Sequence, residues 1–378
     1  MSELITNAGG KNFRWQLFTT VSAASLALAS AVAHAQAGED ASQPTVWIEL
    51  GGQLESIGGK PDLFTPPFVA AHLDAPYNGV SPVGATHPAS NGFGGEGRLS
   101  FRPEGSAWVF SAAVRYGRSN RDKHLHQQTT TSFRQKTNKY NPTNPKFRFR
   151  DVRRFSDATV DQNESHAVMD FMAGRDVGLG MFHGQSTLNF GVRIAQFHSR
   201  ANSGFKSFPD PHYSTKFTYN DPGAHHHSYA ATAELTRNFR GVGPSVAWEG
   251  NAAMVGRPDA GHLTFDWGVD ASVLFGRQTI NGEHQTSTRY FHGSPFALPP
   301  PPTTHTFHTS PVRRSRTVIV PNAGGFAGLS VRYPNAKVSL GYRADFFFGA
   351  VDGGVDTRKS VTPGFYGPFA TVSIGLGG

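Results

Sequence analysis

The sequence predicts an all-β fold, an antiparallel transmembrane β-barrel of about 12 strands, within a range of roughly 10–14. From Leu263 to Phe275 every second residue is apolar, and the residues between them are mostly polar. A strand with this alternation has one apolar face and one polar face. The run is long enough for the roughly 9–11 residues that a tilted strand needs to cross a bilayer. Mean hydropathy is only −0.37 although 12 % of the residues are aromatic, a combination typical of membrane barrels.

The other predicted strands show related alternation along the chain. We place the twelve strands near residues 46–54, 93–102, 108–116, 167–173, 188–194, 229–235, 242–254, 263–275, 283–290, 327–333, 338–346 and 370–376. Asn281-Gly282, between two of these strands, is a strong signal for a two-residue hairpin.

The predicted connections alternate between short and long. The short ones lie near Pro103, Asp176, Arg240 and Pro334. The long ones cover residues 56–91, 118–165, 198–227, 291–316 and 349–363. Bacterial barrels have short periplasmic turns and longer outer loops, so this pattern predicts that the long segments lie on the outer side of the membrane.

The N-terminus has the pattern of a secretory signal peptide. Lys11 and Arg14 precede an apolar run over residues 21–33, and small residues follow at Ala33, Ala35 and Ala37. We therefore predict a signal peptide over residues 1–35, with cleavage after residue 35 or 37, and a single barrel domain over residues 36–378. Export together with the strand pattern predicts the bacterial outer membrane as the location.

Composition excludes several classes of protein. Hydrophobic residues make up 38 % of the 378 residues, and no run of about 18 apolar residues follows the N-terminus, which excludes a bundle of membrane helices. The chain has no Cys, so disulfides and thiolate metal sites are excluded. The net charge of +8 is compatible with phosphate-rich lipid or an anion-favouring pore, and export argues against a nucleic-acid partner.

Charged residues alternate with apolar residues in several predicted strands, which places them on the lumenal face of a barrel. The candidate pore-lining residues are Arg98, Arg115, Asp170, Arg193, Asp266, Asp270, Arg332, Arg343 and Asp345, with Glu96 and Glu234 beside them. Side chains fill barrels of about 8 strands, whereas roughly 16–18 strands leave an aqueous channel. In a barrel of intermediate size, these charges either steer small solutes through a constriction or pair with one another and plug the lumen.

Basic residues cluster in two of the predicted long connections. The candidates for lipid contact are Lys146, Arg148, Arg150, Arg313 and Arg314. Arginine binds phosphate in a bidentate manner, so one interpretation is contact with the phosphates of lipopolysaccharide. The other interpretation is a solvated hairpin arm.

Candidate catalytic and metal-binding patterns are weak. His225-His226-His227 falls in a predicted loop without regularly spaced carboxylates. His87 and Ser90 lie in a Pro- and Gly-rich loop, at an interval that does not place both on one strand face. We therefore expect no enzymatic activity, no cofactor and no metal ion.

Several segments resemble the Legionella-type major outer-membrane protein family. They are Phe239-Arg240-Gly241-Val242-Gly243-Pro244, Val273-Leu274-Phe275-Gly276, residues 338–345 and residues 365–369. The rest of the chain shares only the strand pattern and the signal. The resemblance implies an integral outer-membrane barrel with porin activity, and it transfers no catalytic residue.

These observations together predict an outer-membrane porin that allows small hydrophilic solutes to diffuse passively. One alternative is a non-conducting surface barrel, an adhesin or envelope structural protein whose long loops carry its function. Another is a secreted soluble β protein. The expected partners are outer-membrane lipid, lipopolysaccharide, the barrel-assembly machinery and small solutes, and homo-oligomers are possible.

Overall fold

The computed structural model describes residues 46–63, 90–134, 149–177, 185–208, 226–257, 261–291 and 304–376. The predicted signal peptide, its cleavage site and the basic residues Lys146 and Arg148 lie outside these segments. Arg150 falls within a strand, but its side chain lies outside the described part of the chain.

Ten antiparallel strands form one closed barrel. They are β1 (Val46–Gly58), β2 (Ser90–Phe101), β3 (Trp108–Arg134), β4 (Phe149–Asp176), β5 (Ser186–Phe208), β6 (His226–Arg257), β7 (Gly261–Phe291), β8 (Thr304–Tyr333), β9 (Ala336–Phe347) and β12 (Gly364–Leu376). Strand β1 pairs with both β2 and β12, which closes the sheet. Between β9 and β12, β10 (Val351–Asp352) and β11 (Ser360–Val361) form a small separate sheet. Over the described ranges there is no helix long and apolar enough to cross a membrane.

The barrel has ten strands rather than about 12, because four of the predicted strands merge into two continuous ones. Residues 229–235 and 242–254 both belong to β6, so the turn predicted near Arg240 is absent there. Residues 263–275 and 283–290 both belong to β7. The hairpin prediction for Asn281-Gly282 is wrong, because these residues pair with Thr236 and Leu235 of β6 on one side and with β8 on the other. Ladders on both sides outweigh the local turn preference.

The two ends of the barrel differ, as the alternation of connections predicted. At the short-turn end, the turns near Pro103, Asp176 and Pro334 lie where we placed them, and Val46 pairs with Leu376. The long-connection end carries the extended parts of β3 to β8, which have 23–32 residues each. Strands β1, β2, β9 and β12 have only 12–13 residues. Much of what we predicted as long loops is therefore additional strand.

An apolar band surrounds the outer face of the barrel. On β7, Val269 and Phe275 are each 53 % exposed, whereas the alternating residues Asp266 and Ser272 are 7 % and 5 % exposed and face the interior. The alternation predicted for β7 is thus confirmed. Exposed apolar residues of the band on other strands include Leu50, Phe93, Phe110, Phe171, Phe190, Val242, Ile319, Leu340 and Ile374. Soluble monomers rarely expose a continuous apolar surface of this kind, so the band argues against a secreted soluble protein.

Candidate functional site

The centre of the barrel interior is occupied by a network of ion pairs around Arg193. This arginine of β5 is only 3 % exposed. Its Nε donates a hydrogen bond to Oδ1 of Asp170 at 2.6 Å, and its Nη2 donates to Oδ2 of the same carboxylate at 3.0 Å. Its Nη1 also donates to Asp270 and to Asn322. Bidentate pairing of this kind fixes the guanidinium in one orientation.

Other pairs in this network join distant walls of the barrel. Arg115 of β3 donates to Asp345 of β9 at 2.5 Å, although three strands separate β3 from β9 around the barrel. Arg98 of β2 makes two hydrogen bonds, of 3.1 and 2.9 Å, to Glu249 of β6, which is also three strands away. These side chains therefore cross the lumen instead of lining its wall.

A third pair crosses the lumen between β9 and β2. Arg343 donates to Glu96, and two strands separate β9 from β2 around the barrel. The Arg343 guanidinium also lies over the rings of Phe326 and Phe369, 5.5 and 5.0 Å from their centroids. These contacts hold it by charge pairing and by cation–π attraction together.

A second polar cluster lies nearer the short-turn end. Asp266 accepts hydrogen bonds from Thr264 at 2.9 Å, Ser330 at 2.7 Å and Lys337 at 3.3 Å. Lys337 is also 3.7 Å from the carboxylate of Glu49. Cavities of about 80 and 160 Å³ remain beside the two clusters. Such volumes hold a few water molecules.

An apolar layer lies on the long-connection side of the ion pairs. Phe197 of β5 packs against Phe347 and Phe365, with ring centroids 4.6 and 5.5 Å apart. Phe365 also stacks on His166 at 3.7 Å, and His166 Nε2 lies 3.4 Å from a carboxylate oxygen of Glu55. The three phenylalanines belong to one buried apolar cluster that also includes Val168, Phe239, Leu274 and Val320.

Two segments fold into the mouth of the barrel above this layer, and we name them the plug: residues 59–63 and 349–363. Ala350, Val351 and Val355 are at most 8 % exposed, since they pack on interior residues of the barrel wall. Leu63 is buried among residues of β4, β5 and β6. The two segments are joined by a hydrogen bond from Asp62 N to Gly353 O at 2.6 Å.

Arg314 of β8 holds the longer plug segment. Its Nε donates to Oδ2 of Asp352 at 2.9 Å, and its terminal nitrogens donate to the carbonyls of Gly354 and Val355, both at 2.7 Å. We expected Arg314 to contact lipopolysaccharide, and this expectation is corrected by its position: the guanidinium is turned inward and bound to the plug. Arg313 is exposed on the outer face.

Arg237 of β6 holds the shorter plug segment. Its Nη2 donates to the carbonyl of Asp62 at 2.6 Å, and it lies beyond the apolar band, on the long-connection side of Arg240. Burial lowers the pKa of Arg237 to about 10, and the carboxylates of Asp62 and Asp352 oppose this shift. The side chain therefore remains charged at neutral pH.

All nine candidate pore-lining residues face the barrel interior. Arg332 borders the larger of the two cavities near the short-turn end, and the other eight belong to the two polar clusters. Glu234, which we expected beside them, is instead on the outer face, where it pairs with Arg200 at 2.7 Å.

Sequence reasoning missed Glu49, Glu249 and Lys337, which complete the polar clusters. A signal for two of them was present: Glu49 alternates with Ile48 and Leu50, and Glu249 follows Trp248. Among the residues that the structure describes, no group of three or more His, Asp or Glu residues is placed to hold a metal ion.

Comparisons with known proteins give only distant likenesses. No family model and no curated protein matches the chain, so the resemblance to the Legionella-type family stays a prediction. The translocator domain of the autotransporter NalP from Neisseria meningitidis is similar at 11 % identity, with 95 % of this chain and 98 % of that chain covered and a TM-score of 0.24. The outer-membrane protease OmpT from Escherichia coli is similar at 8 % identity, with 88 % and 96 % covered and a TM-score of 0.26.

The Pseudomonas putida toluene transporter TodX is similar at 8 % identity, with 87 % and 88 % of the two chains covered and a TM-score of 0.15. TM-scores this low carry no structural or functional assignment to this chain.

Proposed function

We propose that this protein is a bacterial outer-membrane barrel whose lumen is closed, and that it acts at the cell surface as an adhesive or structural envelope protein. The observation that carries the proposal is the set of ion pairs that cross the lumen, Arg98–Glu249, Arg115–Asp345 and Arg343–Glu96. A side chain that bridges two walls occupies the path that a solute would take. The plug closes the same path at the long-connection end.

The membrane location is supported by the apolar band and the closure of the barrel. A closed barrel leaves no unpaired strand edge in contact with lipid, and the outward face of each spanning strand is apolar. No catalytic role is part of the proposal.

A surface role is supported by the unequal lengths of the strands. On β3 the apolar band ends at Tyr116, and the strand continues to Arg134. At about 3.3 Å per residue, this part of the sheet extends far beyond the band. The extended parts of β3 to β8 would form a curved wall that projects from the membrane and presents polar residues to the surroundings.

A swelling assay with proteoliposomes tests the closed lumen. Vesicles that contain the purified barrel should not swell in an isotonic arabinose solution, because the ion pairs and the plug leave no path for a sugar. Insertion is verified by the folded mobility of the unheated protein on an SDS gel. Swelling at a rate that rises with the amount of inserted protein would contradict the proposal.

Passive diffusion of small hydrophilic solutes remains the second candidate function. The observation that favours it is the polar character of the lumen, where cavities of about 80 and 160 Å³ border both charged clusters. A porin of this kind would need the plug to leave and the crossing arginines to turn toward the wall. The swelling assay separates the two candidates.

A further inference from the structure

Two carboxylates of the central network face each other across Gly324 of β8. Asp270 of β7 pairs with Gly324 on one side, and Asp345 of β9 pairs with it on the other. A methyl group at Gly324 would touch Oδ1 of Asp345 and lie 2.8 Å from Oδ2 of Asp270. These two carboxylate oxygens are therefore no more than about 5 Å apart, a distance at which like charges repel strongly inside a protein.

The arginines of the network bind the other oxygen of each carboxylate. Arg115 donates to Oδ2 of Asp345, and Arg193 donates to Oδ1 of Asp270. Asp345 is only 4 % exposed, and its Oδ1 is a buried atom without a hydrogen-bond partner among the described residues. Because an unpaired buried carboxylate oxygen is costly, this position favours a positively charged partner.

The charges of the central network leave one carboxylate without a matching cation among the described residues. Three arginines and four carboxylates interact there: Arg115, Arg193 and Arg343 with Glu96, Asp170, Asp270 and Asp345. Beside them Arg98 and Glu249 form a balanced pair, and Lys337 and Arg332 match the carboxylates of the second cluster. Buried charges are tolerated when opposite charges compensate them, so the network needs one further positive charge.

We propose that Asp270 and Asp345 bind one small monovalent cation, Na⁺, between these two oxygens. A cation there can approach both oxygens to the distance of about 2.3–2.6 Å at which hard cations contact carboxylates. Water in the adjacent cavity of about 80 Å³, which Asp270 borders, can complete the coordination. A divalent ion would exceed the single missing charge, and the described residues hold no group of three or more acidic or histidine ligands. The inference goes beyond the proposed function and does not depend on the surface role.

Urea-induced unfolding of the full barrel in phospholipid vesicles tests the site, with NaCl compared with N-methyl-D-glucamine chloride at equal ionic strength. The organic cation is too large for a gap of this size. D345N removes one carboxylate charge and so balances the network. G324A keeps every charge but places a methyl group between the two oxygens. The control E234Q removes a carboxylate charge on the outer face, where Glu234 pairs with Arg200.

We expect about 0.3 M Na⁺ to raise the folding equilibrium constant of the unchanged protein and of E234Q about tenfold, the increase given by a site with a dissociation constant of about 30 mM. The folding constants of D345N and G324A should differ less than about twofold between the two salts. Because the readout is a difference between salts, a variant that is merely less stable still gives a result. Equal folding constants of the unchanged protein in the two salts would overturn the proposal, and so would an undiminished Na⁺ effect in D345N and G324A.

A proton shared by the two carboxylates is the alternative source of the missing charge, and it gives a different result. With a proton as the occupant, the folding constant would change between about pH 6 and pH 8 by the same factor in both salts and would not respond to Na⁺, which would contradict the proposal. Sodium-23 NMR of the unchanged barrel in uncharged detergent micelles needs no variant. Bound Na⁺ should broaden the signal relative to empty micelles, and a signal of equal width would also overturn the site.

Discussion

Arg193 illustrates how charge is accommodated inside this barrel. The side chain is 3 % exposed, and isolating such a charge from water costs several kcal/mol. Asp170 and Asp270 supply the compensating charges, and Asn322 accepts a further bond. The burial of each charge in the network is therefore tolerated only while its oppositely charged partners are present.

Replacing Arg193 should therefore destabilise the barrel strongly. We predict that R193M lowers the free energy of unfolding by about 3–5 kcal/mol, because Asp170 and Asp270 lose a buried partner. The measurement is urea-induced unfolding of the barrel in phospholipid vesicles. As the control, R200M breaks the exposed pair with Glu234 and should cost less than about 1 kcal/mol. Similar losses in the two variants would show that the central network contributes no more than a surface pair.

Glu234 shows why a residue predicted to face the lumen lies on the outer face instead. Taken alone, residues 229–235 predict a separate strand with Glu234 toward the lumen and Ala231, Ala233 and Leu235 toward lipid. In the continuous strand β6, Val242 faces outward, so every second residue back to Glu234 does so too. Ala231, Ala233 and Leu235 consequently face inward and pack near the plug. Local alternation cannot distinguish an apolar face toward lipid from one toward a packed interior.

The plug is the element that sequence patterns did not predict. Residues 349–363 have the Gly and Pro content of a loop, and only their packing against the wall shows that Val351 and Val355 belong to an apolar core. The contacts of Arg314 with this segment join residues about 40 positions apart in the chain. Long-range contacts of this kind leave no local periodicity from which they could be predicted.

Arg314 and its neighbour provide a matched test of how the plug is held. R314Q removes the hydrogen bonds to Asp352, Gly354 and Val355, so we predict faster trypsin cleavage after Lys359, by about tenfold. R313Q removes an outward-facing charge next to it and should leave the cleavage rate unchanged. Cleavage of folded protein in vesicles, followed by mass spectrometry, gives both rates. If R314Q were cleaved no faster than R313Q, Arg314 would not restrain the plug.

The architecture as a whole was predictable to the extent that it depends on alternation along single strands. The closed antiparallel barrel, its apolar outer band, its short and long ends and the inward direction of the nine candidate residues all follow from that pattern. The number of strands did not follow, because Asn281-Gly282 and the Gly-rich segment near Arg240 resemble turns locally but are paired on both sides. Whether the interior charges line a channel or close it depends on distances across the barrel, which no single strand encodes.

The closed lumen is tested most directly by single-channel recording in planar bilayers. We predict that the unchanged protein produces no discrete conductance steps. The variant R98A/R115A/R343A, which removes every arginine of the three pairs that bridge distant walls, should also produce none, because its plug still closes the long-connection end. Regular conductance steps from the unchanged protein, at a frequency that rises with its concentration, would contradict the account and favour a diffusion pore.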